Sequence, residues 1–144
     1  METVSRSALM PYSPDFMYRI VNDVERYPEF LPWCGGSRVH SASEQDMEAS
    51  VDINMAGMKQ SFTTRNRMQP GERIDMELVD GPFDVLQGQW RFKELGDQGC
   101  KIELDLKFHL KPGLAAAIIG PVFSKIANTM VESFCARARE LNGR

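Results

Sequence analysis

One long amphipathic helix near the C terminus constrains the fold of this 144-residue chain more than any other feature. From Gly113 to Leu141, apolar residues recur at three- and four-residue spacing, which is typical of a helix with one buried face. At ~1.5 Å per residue, these roughly 29 residues reach about 40 Å, so the helix needs a broad sheet to lie on. Gly120-Pro121 interrupts the pattern, and because proline donates no backbone hydrogen bond we expect a kink or break there. The apolar stripe comprises Phe123, Ile126, Ala127, Met130, Val131, Phe134, Ala138 and Leu141.

Length and composition predict a single domain over residues 1–144, since 42% hydrophobic and 26% charged residues are ordinary for a globular protein. No signal-peptide pattern opens the chain and no window holds ~18 uninterrupted apolar residues, so we expect a cytoplasmic protein or one at the periphery of the inner membrane. Cys34, Cys100 and Cys135 lie far apart without a CxxC motif, which favours free thiols over a metal site.

The N-terminal third predicts a strand, a helix and an aromatic loop. Thr3 to Met10 is typical of a first strand. Ser13-Pro14-Asp15 predicts a helix start, because it combines a hydroxyl cap, proline at the first helical position and an acid in the first turn. We expect Tyr27-Pro28 to end that helix, since the residue before proline disfavours helical geometry. Tyr27 to Gly36 then indicates a packed loop with one short helical turn.

From Ser37 onward the apolar residues alternate with polar ones, which predicts strands with one buried face. The segment Ile102 to Leu110 shows this alternation most clearly. Turns such as Pro70-Gly71 and Asp80-Gly81-Pro82 are too short for parallel crossovers, so neighbouring strands must run antiparallel. The pattern therefore predicts an α+β fold in which the long helix covers the apolar face of an antiparallel meander.

Three stretches of the chain carry a resemblance to a known family: VSRSALMPYSPDFMYRIVNDVERYPEFLPWC, GPFDVLQGQW and FSKIANTMVESFCARARE. They resemble the START-like helix-grip superfamily of polyketide cyclases and lipid-binding proteins. Within it, they are similar to the family shared by coenzyme Q-binding proteins and the RatA ribosome-association toxins. The resemblance implies a curved sheet of about six to seven strands gripping the C-terminal helix, two short helices after the first strand, and an apolar ligand tunnel.

That resemblance implies, as a first functional hypothesis, binding of a polyprenylated quinone such as ubiquinone in support of respiratory electron transport. Gln60, Thr64 and Asn66 share a strand face with apolar residues, and each would cost ~1–3 kcal/mol if buried unpaired. Water, backbone groups or the carbonyl oxygens of a ligand would satisfy them. The aromatic loop either forms a lid at the tunnel mouth, with Trp33 only partly buried, or packs into the core. The predicted ligand-binding residues are Tyr27, Phe30, Leu31, Trp33, Gln60, Phe62, Thr64, Asn66, Leu86, Trp90, Phe123, Met130 and Phe134.

The RatA side of the resemblance implies a second hypothesis, in which the protein binds the large ribosomal subunit and blocks subunit association. A net charge of −3 gives no global field that attracts nucleic acid, and we expect no DNA partner. A local basic patch is the candidate RNA-binding surface, although an ordinary solvated sheet face would show the same pattern. This predicted face consists of Lys59, Arg65, Arg67, Arg91 and Lys93.

An enzymatic function is less favoured, although the superfamily includes cyclases and hydrolases. The predicted inner face lacks the Asp, Glu, His, Lys and Cys side chains that acid–base or nucleophilic chemistry requires. We therefore expect a binding protein that needs no cofactor or metal, with a quinone or similar isoprenoid lipid as its ligand and transient contact with a membrane surface.

Overall fold

A computed structural model describes residues 1–55, 57–97 and 99–142, with side chains described except at 114 and 115. The elements are β1 (Glu2–Met10), α1 (Pro14–Asn22), a 3-10 helix (Val24–Glu29), β2 (Cys34–Ala42), β3 (Asp46–Met55), β4 (Met58–Gln69), β5 (Arg73–Asp80), β6 (Phe83–Glu94), β7 (Cys100–Leu110) and α2 (Leu114–Asn142).

The strands form one seven-stranded antiparallel sheet in the order β1-β7-β6-β5-β4-β3-β2. β2 to β7 follow one another as the predicted meander, and β1 adds to the far edge beside β7. Register shifts interrupt the ladders between β2 and β3, β4 and β5, and β6 and β7. Such irregularities bend a sheet, which lets it curve around a helix. The predicted curved sheet gripping a C-terminal helix is confirmed.

The helix α2 buries the predicted apolar stripe against the inner face of the sheet, with Phe123, Ile126 and Ala138 among its buried residues. It continues through Pro121 as one element, so the expected break is wrong. Pro121 and Ala117 are both exposed, and water can therefore satisfy the carbonyl group that the proline leaves unpaired. No helix in the described ranges is long and apolar enough to cross a bilayer.

The helix α1 begins as predicted, because the Ser13 side chain accepts a hydrogen bond from the Phe16 backbone N–H at 3.1 Å. It ends at Asn22, however, before the predicted stop at Tyr27-Pro28. Asp23 leaves the helical region, and a 3-10 helix that contains Pro28 follows it. This short helix places the aromatic loop beside the C-terminal half of α2.

Candidate functional site

An apolar cavity of about 80 Å³ lies between the inner face of the sheet and α2. The 3-10 helix and the loop before β2 close one of its sides. Most of the predicted ligand-binding residues border this cavity, namely Tyr27, Trp33, Phe62, Thr64, Asn66, Leu86, Trp90, Phe123, Met130 and Phe134. The prediction did not include Val24, Ala49, Val51, Met76, Leu104, Leu106 and Ile126, which also border it. Most of these lie on the same alternating strand faces, so extending those faces to β3, β5 and β7 would have found them.

Three of the predicted residues do not border the cavity. Leu31 is fully buried in the core. The Phe30 ring packs edge-on against Phe134, with 5.4 Å between ring centroids, on the far side of the loop. Gln60 is only half-buried, so its amide does not carry the burial penalty that the sequence suggested.

Thr64 and Asn66 place polar atoms in the otherwise apolar wall. The Thr64 hydroxyl donates to the Asn66 side-chain oxygen at 3.0 Å, and both residues are buried. This contact uses the Asn66 side-chain oxygen and leaves its amide nitrogen available as a donor. Because Asn66 borders the cavity, this N–H can donate to a water molecule or to a ligand carbonyl oxygen there.

The aromatic loop packs inward and forms a closed wall of the cavity. Trp33 is only 7% exposed, which agrees with the alternative that the loop packs into the core and not with a partly buried lid. The Tyr27 hydroxyl donates to the Val21 carbonyl oxygen, and its ring centroid lies 5.3 Å from that of Phe134. A ligand larger than the cavity therefore requires this loop and α2 to move apart.

Arg137 on α2 contacts the aromatic loop through an ion pair and a cation–π interaction. Its Nη2 atom lies 2.7 Å from Glu29 Oε1, and its guanidinium carbon lies 4.9 Å from the centroid of the Phe30 ring. The hydrogen bond from Arg137 lowers the pKa of the Glu29 carboxyl. Arg137 is itself buried, which the charged run ARARE near the C terminus did not indicate, because such runs usually face solvent.

The cavity wall does not offer groups for acid–base or nucleophilic catalysis. Its titratable side chain is Tyr27, and burial raises the pKa of that phenol, which keeps it neutral. Burial likewise raises the pKa of Cys34, whose thiol donates to the Gly36 carbonyl oxygen at 3.3 Å. Within the described ranges, no cluster of three or more His, Cys, Asp or Glu residues could hold a metal ion. The cavity wall is thus suited to contact apolar groups.

The size of the cavity argues against a large resident ligand. A cavity of ~150 Å³ holds a molecule such as benzene, and sites for larger organic ligands occupy ~300–1,000 Å³. At about 80 Å³, the space fits water or a small chemical group. A polyprenylated quinone fits only after the walls of the cavity separate.

On the outer face of the sheet, most of the predicted basic residues form ion pairs with carboxylates. Arg65 Nη2 lies 2.9 Å from Glu48 Oε1. Arg91 and Lys93 both reach Glu103, at 3.3 and 3.0 Å. These interactions neutralise the charges that a phosphate-binding surface requires.

The strand register also places acidic residues beside Arg67, whereas Lys59 lies opposite Asn54. Arg67 pairs across the strands with Asp46 on one side and Asp75 on the other. Acidic residues therefore lie among the predicted basic residues on this face, because periodicity predicts the face of a residue but not its cross-strand neighbours. Of the five predicted residues, Lys59 and Arg67 form no ion pair with any described side chain.

Comparisons with known proteins define the family of this chain. Residues 10–135 match the family of polyketide cyclases, dehydrases and lipid transport proteins. The ribosome association toxin RatA of Pseudomonas aeruginosa is 49% identical over 140 residues, covering 97% of each chain. The mitochondrial coenzyme Q-binding protein COQ10 of Drosophila melanogaster is 27% identical over 143 residues, which cover 96% of this chain and 59% of that protein.

Solved structures confirm the START-like architecture. A START superfamily protein from Mycobacterium smegmatis superposes with a TM-score of 0.78 at 19% identity, covering 96% of this chain and 98% of that one. The Zhui aromatase/cyclase from Streptomyces sp. R1128 superposes with a TM-score of 0.83 at 15% identity, covering 97% and 95%. At these identities the likeness shows the fold alone, and that fold includes an enzyme.

Proposed function

The chain belongs to the family of polyketide cyclases, dehydrases and lipid transport proteins, and on this premise we propose that it binds the large ribosomal subunit and blocks subunit association. The observation that carries the proposal is the 49% identity, over 97% of both chains, to a protein named for ribosome association. At 27% identity, the quinone-binding relative supports a quinone function less strongly.

The cavity supports this order of preference. It lacks acid–base groups apart from a neutral tyrosine, which disfavours an enzyme. Its volume of about 80 Å³ is small for a quinone carrier. Binding to a ribosome requires a folded surface and no open pocket, and the compact, closed state of the aromatic loop is compatible with that role.

Lys59 and Arg67 are the residues on the outer face that we expect to contact ribosomal RNA. Both are exposed on β4, and neither forms an ion pair within the described part of the chain. A phosphate can bind such a side chain without first displacing a carboxylate. By contrast, Arg91 and Lys93 would have to leave Glu103 first.

Two matched double variants test this proposal by sedimentation with purified large subunits over a range of salt concentrations. Lys59→Gln/Arg67→Gln and Arg91→Gln/Lys93→Gln remove the same charge from the same sheet face. We expect the first variant to weaken binding and to reduce the slope of log affinity against log salt concentration by about 1 for each lost phosphate contact. The second variant should bind nearly as wild type does.

The outcomes separate the surface from the function. If both variants weaken binding equally, or if neither weakens it, Lys59 and Arg67 do not form the specific RNA contact. Ribosome binding by the protein would still stand in either case. Wild-type protein that never sediments with the large subunit would overturn the proposed function itself.

A second function, binding of a hydrophobic ligand such as a polyprenylated quinone, is supported by the apolar cavity wall and by the amide of Asn66, which borders the cavity. A quinone carbonyl oxygen would accept a hydrogen bond from this amide once the loop wall opens. Lipid extraction of the purified protein followed by mass spectrometry should then recover an isoprenoid quinone. Recovery should fall with Asn66→Leu, which keeps the shape of the side chain and removes the donor. Extracts of wild-type protein without quinone would contradict this function.

A further inference from the structure

The sheet has two edges, and the structure protects only one of them. At one edge, β2 carries two register shifts and packs against the 3-10 helix, where the Ser37 hydroxyl donates to the Val24 carbonyl oxygen at 2.7 Å. At the other edge, β1 pairs with β7 over nine consecutive residues without a register shift. No other described strand pairs with β1, so its outer backbone groups are free to bond to another strand.

The sequence of β1 lacks the usual devices that prevent edge pairing. Glu2–Met10 contains no proline, lysine or bulge. Its charged residues contact α2 and do not block the outer edge of the strand. Arg6 donates to Asn128 Oδ1 at 2.7 Å, and Glu2 accepts from the Ser124 hydroxyl. The outer edge of β1 can therefore form backbone hydrogen bonds with a strand of another chain.

Two exposed apolar side chains flank this open edge. Leu9 is 69% exposed and Met1 is 70% exposed, more than the other large hydrophobic residues of the described chain. Both have odd numbers, so they share the outer face with Thr3, Ser5 and Ser7. A strand added at the unpaired edge of β1 would cover both of these side chains.

We propose that β1 pairs antiparallel with β1 of a second copy of this chain, with a two-fold axis passing through Ser5. This register places Met1 opposite Leu9 of the second copy, and Thr3 opposite Ser7. Ser5 then faces Ser5. The two exposed apolar side chains cover each other, and the remaining outer-face pairs are hydroxyl pairs, which stabilise neighbouring strands.

The neighbouring registers fit less well. A two-fold axis through Arg6 sets two guanidinium groups opposite each other, which is destabilising. A two-fold axis through Val4 places Met1 opposite Ser7, so the two exposed apolar side chains no longer cover each other. With the axis at Ser5, Glu2 instead lies diagonally across from Arg6 of the second copy, at the ~7–8 Å separation that long side chains bridge.

The geometry of the pairing also sets its strength. A nine-residue strand is about 30 Å long. An interface built around one such strand is smaller than the ~800 Å² per partner of a standard stable complex. We therefore expect a reversible dimer whose population rises with protein concentration.

Cysteine cross-linking of the full chain tests both the dimer and its register. Cα atoms of paired antiparallel residues are ~4.5–5.5 Å apart, which a disulfide can span. Ser5→Cys should therefore form a covalent dimer under mild oxidation at protein concentrations near the dissociation constant. The native Cys34, Cys100 and Cys135 are buried, so wild-type protein should stay monomeric on a non-reducing gel.

Thr3→Cys is the matched control, because residue 3 faces residue 7 of the second copy and not its own counterpart. It should not cross-link by itself, whereas an equimolar mixture of Thr3→Cys and Ser7→Cys proteins should give a heterodimer. Sedimentation velocity supplies a readout without added cysteines: the weight-average mass of wild-type protein should rise with concentration, and Leu9→Lys should abolish that rise. Equal cross-linking by Ser5→Cys and Thr3→Cys, or a monomer up to about 1 mM, would overturn the proposal.

Discussion

Replacing Phe134 with alanine should destabilise the protein more than most other single substitutions in α2. The side chain is 1% exposed and stands where the loop, the sheet and the helix meet. Its ring centroid lies 5.3 Å from those of Tyr27 and Trp90, and 5.4 Å from that of Phe30, all in edge-on geometry. Truncation therefore removes contacts to both the aromatic loop and β6 at once.

The expected loss follows from these contacts. Buried Phe→Ala substitutions lower the free energy of unfolding by ~3–5 kcal/mol. Loss of three edge-on aromatic contacts, each worth ~0.5–1.5 kcal/mol, favours the upper part of that range. Phe134 also borders an existing cavity, so one side of its ring already lacks packing partners, which favours the lower part. We expect a loss of about 4 kcal/mol.

Urea unfolding, followed by circular dichroism, measures this loss. Glu132→Ala is the matched control, because Glu132 is exposed on the same helix and its removal should change stability by less than ~0.5 kcal/mol. The urea dependence should keep its slope, since the surface exposed on unfolding hardly changes. Equal losses for the two variants would refute the packing of α2 described above. If Phe134→Ala does not fold, Phe134→Leu provides a milder test of the same contacts.

Three further predictions concern the loop and the helix start. Trp33→Ala should cost ~3–5 kcal/mol in urea melts because the ring is buried, and a loss under ~1 kcal/mol would instead indicate an open lid. Arg137 lowers the pKa of Glu29, so the stability advantage of wild type over Glu29→Gln should be present above the ordinary glutamate pKa of ~4.3 and vanish as the pH falls through the lowered value. Thermal melts in a pH series check this, and a constant difference down to strong acid would contradict it. Ser13→Ala should cost ~1 kcal/mol, because Ser13 accepts from the Phe16 N–H; unchanged melts would mean that this cap is dispensable.

The parts of the fold that depend on interactions between residues close in sequence could be predicted from the sequence. The strand β7 alternates between buried and less buried residues along its length, so its period of two was visible. The Ser13 cap and the α2 stripe have equally local signals. By contrast, β2 is mostly exposed apart from Cys34, and an edge strand without a buried face shows no alternation.

Parts that depend on tertiary contacts could not be predicted. The inward position of Trp33 depends on tertiary packing, and the Arg137–Glu29 ion pair joins residues 108 positions apart in the sequence. The carboxylates beside Arg67 depend on the strand register, which hydrophobic periodicity leaves open. The cavity volume depends on how closely α2 approaches the sheet, and no sequence pattern encodes that distance.

The most direct test of ribosome association measures subunit joining in the presence of this protein. Purified small and large subunits are mixed under associating conditions, and light scattering follows formation of the complete ribosome. The protein is first incubated with the large subunit, and we expect the amplitude of the light-scattering signal to fall as more protein is added. The amplitude should approach zero when the protein is equimolar with the large subunit and its concentration exceeds the dissociation constant. Full amplitude at a large excess of wild-type protein would contradict the proposed function.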